Sequence, residues 1–157
     1  MKVLITDPIT ESGLKIIKNY GLEIVYIPEA SESEKYKAAN NVDGWIIRSG
    51  TKINKDAIVS SKNLKVIGRA GVGVDNIDIP EATRRGIVVL NTPDVNTISA
   101  AEHTIGLILA ISRNIHLGHQ GLQKGEWNRN ILIGSELQNK TIGIVGLGKI
   151  GREVISR

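Results

Sequence analysis

The chain has 157 residues, of which 41% are hydrophobic and 23% charged, and its formal net charge is +4 at pH 7. This length supports one ordinary buried core and not two large ones, and the composition excludes a mainly disordered chain. No cysteine is present, which excludes disulfides and thiolate metal sites.

The positive surplus does not indicate a nucleic-acid-binding protein, because the basic residues are scattered and only 3% of the chain is aromatic. Attraction of an anionic substrate or cofactor fits better, although a mildly basic surface without a function fits the charge equally well. The first residues lack the pattern of a signal peptide, and the longest apolar stretch, residues 105–111, is too short to span a bilayer. We expect a cytoplasmic protein that binds neither nucleic acid nor membrane.

Five short apolar runs alternate with helical segments in the first part of the chain. The runs predict strands at residues 3–5, 24–27, 45–47, 65–68 and 87–90. The predicted helices are one that ends at Gly21, a polar one over 33–39, a short one over 55–60, and one from Pro80 to Thr83 that Gly86 terminates. Continuous apolar strands between helices are typical of a parallel sheet covered on both faces. We predict an α/β, flavodoxin-like domain over residues 1–95.

The pattern changes in residues 96–157. Ser99 to Glu102 has the spacing of a capping box, which predicts a helix that begins there and runs to about Arg113. That helix is apolar nearly all round and is therefore expected to be buried, for example between domains or subunits. Residues 118–139 are glycine-rich and polar, and we interpret them as a long loop or arm. Residues 141–145 predict the first strand of a second, Rossmann-type sheet.

A glycine turn of the form G-x-G-x-x-G follows this strand at Gly146, Gly148 and Gly151. The first glycine permits the tight turn, the second lets a pyrophosphate approach the backbone, and the third lets helix and strand pack closely. The phosphates then lie at the N-terminus of the next helix. A strand–helix turn without a ligand is the alternative, and the flanking pattern favours the dinucleotide.

Two further segments follow predicted strands, where open α/β sheets bind ligands. The segment from Gly68 to Asn76 has three glycines that expose backbone N–H groups, and Arg69 adds a fork that suits carboxylate or phosphate. A structural loop with Arg69 in a salt bridge fits its spacing equally well. In the segment from Arg48 to Thr51 a cation and hydroxyls could hold an anion, but a loop with a solvated arginine is the simpler interpretation of that segment alone.

Other catalytic patterns are weak or missing. His116 and His119 could share a helical face, but no carboxylate cluster accompanies them, so we predict no metal site. The chain contains neither the G-x-S-x-G elbow of serine hydrolases nor the G-K-[ST] element of P-loop NTPases.

Taken together and in this order, the motifs resemble the D-2-hydroxyacid dehydrogenase family over essentially the whole chain. The set comprises residues 48–51, 68–78, 91–93, 99–104 and 146–154. The string Arg-Ala-Gly-Val-Gly-Val-Asp-Asn is its most discriminating part. The resemblance implies a substrate-binding domain, matching residues 1–95, and an NAD-binding domain that begins at residue 96. The implied chemistry is hydride transfer between NAD and C2 of 3-phosphoglycerate, at the entry to serine synthesis.

The resemblance also implies roles for individual residues. Substrate contacts fall on Arg48, Ser49, Arg69 and Gly71. Cofactor contacts fall on Val72, Asn96, Gly146, Gly148, Lys149, Ile150 and Gly151. The apolar helix and the arm through Trp127 would form the contact of a homodimer or a higher oligomer.

The chain departs from the family in one respect. Nothing in it matches the family's catalytic arginine, glutamate and histidine, so we predict no catalytic residue in this chain. The acid that binds the ribose is expected about 20 residues after the glycine turn, and six residues follow Gly151. We expect a dehydrogenase portion that is inactive alone. The alternatives are a non-catalytic binding or dimerisation module, a dehydrogenase of another 2-hydroxy acid, and an NAD-sensing regulator.

Overall fold

The computed structural model describes residues 1–157 and divides into two compact units, Met1–Val95 and Asn96–Arg157. The units are described separately below. No helix in either unit has both the length and the apolar character needed to cross a membrane.

The first unit is built on one parallel sheet of five strands. The strands are β1 (Lys2–Ile5), β2 (Glu23–Tyr26), β3 (Gly44–Ile47), β4 (Val66–Arg69) and β5 (Val88–Asn91). Their spatial order is β2-β1-β3-β4-β5, the order of flavodoxin-like folds. The predicted fold class and all five predicted strands are confirmed, with bounds that differ by about one residue.

Four helices connect these strands: α1 (Glu11–Asn19), α2 (Glu32–Ala39), α3 (Lys55–Ser60) and α4 (Ile79–Arg84). Local chemistry explains where they begin and end. Ser31 and Glu34 form a capping box at the start of α2. Gly21 and Gly86, both with positive φ (70° and 69°), follow the ends of α1 and α4. The helices therefore lie where the sequence predicted them.

One face of the sheet carries the main core. Leu4, Trp45 and Ile67 lie side by side on β1, β3 and β4, and none of the three is exposed to solvent. The Trp45 ring meets Tyr36 of α2 edge to face at 6.2 Å, and its Nε1 donates to the Thr6 hydroxyl at 2.9 Å. A buried indole whose N–H is satisfied contributes its full apolar area to stability.

A cluster of charged side chains lies on α4 and at its C-terminal end. The Glu81 side chain is nearly buried and accepts hydrogen bonds from Arg84 (2.6 and 2.9 Å) and Arg85 (3.0 Å). The hydrogen bonds from Arg84, together with the smaller effect of the one from Arg85, lower the pKa of Glu81 to about 2, although desolvation by burial raises it.

This pKa predicts how acid affects the first unit. Above pH 4.5, the ordinary value for this carboxyl, Glu81 is ionised in both folded and unfolded chains and stabilises fully. As the pH falls towards 2, only the unfolded chain takes up the proton, so this stabilisation is lost. We expect Glu81→Gln to lower the melting temperature at pH 7 and to flatten its decline below pH 5. Melting curves from pH 7 to 2 test this, with the exposed Glu29 changed to Gln as the control; parallel curves for wild type and Glu81→Gln would contradict it.

The second unit contains helices α5 (Thr97–Ser112), α6 (Ile115–Gln123) and α7 (Lys149–Ser156) and a 3-10 helix, Arg129–Leu132. The predicted capping box is wrong, because α5 already begins at Thr97 and Ser99 lies within its first turn. The N-cap is Asn96, which makes no side-chain capping bond. Residues 118–139 are also not one long loop, since α6 occupies the first part.

Of two other predictions for the second unit, the burial of α5 stays a prediction and the strand at residues 141–145 is wrong. In the single chain, Ala101 is the one buried residue of α5, and Ile111 is 69% exposed. Helices α6 and α7 contact α5 within the second unit, and burial of its remaining apolar surface between domains or subunits is not tested by one chain. Residues 141–145 form no strand, because a parallel ladder needs a neighbouring strand and residues 96–157 contain none.

Candidate functional site

Loops that follow β1, β3 and β4 meet at the carboxyl edge of the sheet, since all the strands are parallel. The register pairs Ile47 with Arg69, so the turn after β3 and the loop after β4 begin side by side. Two segments predicted separately from the sequence are therefore neighbours in the first unit.

The turn of residues 48–51 is fastened to Asp7, the second residue after β1. The buried Asp7 carboxylate accepts the backbone N–H of Arg48 at 2.5 Å and that of Thr51 at 3.1 Å. The Thr51 hydroxyl lies 3.1 Å from the other carboxylate oxygen. The Arg48 and Ser49 side chains remain exposed at the edge of the sheet.

Asn76, the last residue of the glycine loop, holds the same turn from its other side. Its Nδ2 donates to the carbonyls of Arg48 and Thr51, each at 2.7 Å. Its Oδ1 is buried without a partner, and its backbone carbonyl accepts from Ile53 at 2.8 Å. Asn76 thus joins the two loops.

The Arg69 guanidinium has neither an ion pair nor a hydrogen bond in the chain, and its Nε is buried and unpaired. This contradicts the alternative in which Arg69 belongs to a structural salt bridge. The group lies against Gly71, where a Cβ would collide with it. An unpaired buried N–H costs free energy unless an acceptor arrives, so the geometry suits an anion.

Some backbone N–H groups of the loop after β4 are hydrogen-bonded and others are not. The Gly71 N–H already donates to the Arg69 carbonyl at 2.8 Å. The N–H groups of Val72 and Gly73 make no hydrogen bond, and both residues are exposed. Asn91 and Thr92 support the loop by donating to the Val72 and Gly71 carbonyls at 2.7 and 2.9 Å.

A cleft of about 590 Å³ opens at the same edge of the first unit. Its walls are mainly apolar, and Arg48 stands among its lining residues with Ile9, Ile46 and Ala70. Apolar walls with a few convergent polar groups are typical of small-molecule sites. The cleft is therefore lined by Arg48 and by Ala70, the residue that follows Arg69 in the chain.

In the second unit the glycine turn has the predicted conformation although its strand is missing. Gly146 has φ of 98°, which only glycine adopts readily, and a Cβ on Gly151 would collide with the Gly146 carbonyl. Space is open around Gly148, the N-cap of α7, where no side chain caps the helix. Lys149 and Ile150 form the first turn of α7, so backbone N–H groups of this turn point away from the helix body.

The structure does not gather the remaining candidates into a site. His103, His116 and His119 lie on α5 and α6, and no group of three or more His, Asp or Glu side chains could hold a metal ion. Asn96 caps α5 through its carbonyl, which accepts from Ala100 at 2.9 Å.

Sequence reasoning missed Asp7 and gave Asn76 no role of its own. Asp7 carries a signal that could have found it, because an acid two residues after a buried strand lies at the carboxyl edge of the sheet. The side-chain bonds of Asn76 to residues 48 and 51 span at least 25 positions and leave no local pattern.

Comparison with known proteins assigns the family. The family model for the D-isomer specific 2-hydroxyacid dehydrogenase catalytic domain matches residues 3–153. The chain therefore belongs to the D-isomer specific 2-hydroxyacid dehydrogenase family, and the resemblance inferred from its motifs is confirmed.

Two curated relatives within this family share the name D-3-phosphoglycerate dehydrogenase. The D-3-phosphoglycerate dehydrogenase of Methanocaldococcus jannaschii is 46% identical over 157 residues, which is all of this chain and 30% of that protein. The human D-3-phosphoglycerate dehydrogenase is 44% identical over 156 residues, 99% of this chain and 29% of that protein. The chain thus spans about 30% of the length of the curated relatives that it matches.

Solved structures show the same architecture. A protein of Thermus thermophilus superposes with a TM-score of 0.91 at 33% sequence identity. The superposition covers 99% of this chain and 52% of the Thermus thermophilus chain. The NAD-dependent formate dehydrogenase of Staphylococcus aureus, solved with NAD, gives 0.87 at 30% identity over 99% of this chain and 52% of its own.

Proposed function

We propose that this chain supplies the substrate-binding unit and the start of the NAD-binding unit of a D-3-phosphoglycerate dehydrogenase. The whole enzyme would transfer hydride between NAD and C2 of 3-phosphoglycerate or 3-phosphohydroxypyruvate, in serine biosynthesis in the cytoplasm. The names of relatives 44–46% identical over the whole chain support this substrate. We propose the same division of roles between residues 1–95 and 96–157 as the family resemblance implies.

One observation carries the proposal: the unpaired guanidinium of Arg69 lies against Gly71, and the next two residues of the loop, Val72 and Gly73, have free N–H groups. Arginine forks and exposed backbone donors bind carboxylate and phosphate, the two anionic groups of 3-phosphoglycerate. Arg48 and Ser49 add a cation and a hydroxyl at the same edge. These groups bind and orient the acid.

The glycine turn fits a dinucleotide, since Gly146 has positive φ, Gly148 is open and the start of α7 is uncapped by any side chain. Bound NAD would accept the hydride that leaves C2. Gly146, Gly148, Lys149, Ile150 and Gly151 would surround the pyrophosphate. Val72 and Asn96 remain proposed cofactor contacts. No residue of this chain is proposed as the base that takes the hydroxyl proton.

Calorimetric titration of the purified chain tests this division of labour. We expect 3-phosphoglycerate to bind in the micromolar to millimolar range and D-glycerate, which lacks the phosphate, to bind more weakly. NADH should bind weakly or not at all, because the glycine turn lacks a strand ladder behind it. Tight NADH binding with turnover would contradict the proposed inactivity, and no binding of 3-phosphoglycerate would contradict the proposed substrate site.

We also propose that the second unit forms the contact of a homodimer. Large apolar side chains are exposed on and around α5 and α6, namely Ile111, Ile115, Leu122, Trp127, Ile131 and Ile133. Ile133 lies beside the α5–α6 junction, where its carbonyl accepts from Asn114 at 3.2 Å. Exposed apolar surface of this kind marks protein interaction sites.

Light scattering tests the dimer directly. We expect twice the chain mass for the wild type and a single chain mass for Ile133→Glu, because a charge within an apolar interface is costly to desolvate. The matched control is Ile16→Glu on α1, a side chain 58% exposed in the first unit. A wild type that is monomeric at every concentration would contradict the proposal.

A further inference from the structure

We propose that Asp7 and Asn76 are positioning residues that hold the turn of residues 48–51 in the conformation that presents Arg48 and Ser49 to the anion. This inference rests on the function proposed above, because it concerns the same site. Neither residue is placed in contact with the substrate.

The turn of residues 48–51 is not stabilised by hydrogen bonds of its own backbone. Residues 48–51 make no backbone hydrogen bond with one another. Instead, one oxygen of the Asp7 carboxylate accepts both the Arg48 and the Thr51 N–H, at 2.5 and 3.1 Å. A side-chain acceptor shared by the first and last residue closes a turn in the way that an Asx cap does.

The carbonyls of the same two residues are held from the opposite side. Asn76 donates to the Arg48 and Thr51 carbonyls at 2.7 Å each, and its own Oδ1 finds no partner. A buried unpaired acceptor costs free energy, so the two donor bonds account for this orientation of the amide. The backbone of the turn is therefore fixed by side chains from the segments that follow β1 and β4.

Gly50 shows how tightly the turn wraps around the carboxylate. A Cβ at this position would lie 2.6 Å from the nearer Asp7 oxygen, closer than real side chains approach. A side chain at residue 50 must therefore push the turn away from Asp7. The residue itself is exposed, so substituting it leaves the core intact.

The negative charge of Asp7 and its role in holding the turn predict opposite effects of Asp7→Ala on anion affinity. As a charge, the carboxylate repels an anion at the neighbouring arginines, so Asp7→Ala should tighten anion binding. As a positioning residue, Asp7 orders the turn before the ligand binds. Asp7→Ala should then weaken binding, because the binding free energy is reduced by the cost of ordering the turn. Asp7→Asn removes the charge and retains an acceptor for the two N–H groups.

The test uses the 157-residue chain with 3-phosphoglycerate as the ligand. We expect Asp7→Ala to speed hydrogen exchange at the Arg48 and Thr51 amides and to weaken binding roughly tenfold or more, the scale for lost buried hydrogen bonds and misplaced contacts. Asp7→Asn should bind within a few fold of wild type. The matched control is Asp43→Ala: Asp43 accepts the Lys2 N–H at 2.9 Å at the opposite edge of the sheet, and its loss should change neither readout.

Gly50→Ala repeats the test without removing any bond partner, and it decides the matter if Asp7→Ala does not fold. Faster exchange at the two amides together with weaker binding supports the inference. Unchanged exchange, or tighter binding in Asp7→Ala, overturns it. If the wild type does not bind 3-phosphoglycerate, the proposed substrate is wrong, and the exchange rates by themselves then decide whether Asp7 orders the turn.

Discussion

Arg69→Ala should weaken the binding of 3-phosphoglycerate by the chain by roughly 10- to 100-fold. The reason is the guanidinium that the fold leaves without any partner, with its Nε buried. A charge-assisted hydrogen bond contributes about 1.5–3 kcal/mol, which corresponds to this range of affinity. Calorimetric or fluorescence titration of wild type and variant measures the effect.

Two further variants show what kind of group the site needs. Arg69→Lys retains the charge and loses the planar fork, so its affinity should fall between those of wild type and Arg69→Ala. Lys62→Ala removes one positive charge from the opposite edge of the sheet and should change affinity little, since exposed charges beyond about 10 Å are screened. If Arg69→Ala binds as tightly as wild type, Arg69 does not belong to the site.

Trp45→Ala should destabilise the chain by about 3–5 kcal/mol, the range measured when large buried aromatic residues are truncated. Trp45 has no exposed surface, and its loss opens a cavity beside Tyr36 and Leu4 in the core. It also removes the donor to the buried Thr6 hydroxyl. Urea denaturation followed by circular dichroism measures the change without depending on tryptophan fluorescence.

Tyr20→Ala supplies the matched control for this experiment. It deletes another aromatic ring from the first unit, but the Tyr20 ring is 81% exposed, so the change should stay within about 0.5 kcal/mol. Equal destabilisation by the two substitutions would show that Trp45 does not anchor the core.

The accuracy of the sequence predictions differs between the two units for a physical reason. In the first unit each strand is a continuous apolar run, and capping residues such as Ser31 and Gly86 mark the helix ends. These signals are local, and the five strands that they predict pair with one another in one sheet of the same unit. In the second unit the apolar run at residues 141–145 has the same character, but the unit contains no strand that could pair with it. Strand formation therefore did not follow from the pattern.

For the candidate site, too, local features could be predicted from the sequence and long-range contacts could not. Sequence motifs identified Arg48, Arg69 and the glycines of both loops, because these residue types are tied to local backbone geometry and to anion chemistry. Whether Arg69 was a structural ion pair or a free guanidinium could not be predicted, since a partner could have come from any distant part of the chain. The folded unit supplies no such partner.

By itself the sequence determined the α/β class, the family, and the conformation of the glycine turn at Gly146, since periodicity and glycine backbone preferences act over a few residues. Only the tertiary structure decided that Asp7 and Asn76 fasten one turn from two sides, across sequence separations of 41 and 28 residues to Arg48. It also decided which N–H groups of the loop after β4 stay free. Such contacts depend on the strand order and register of the sheet, which bring distant strand ends to one edge and leave no trace in local sequence.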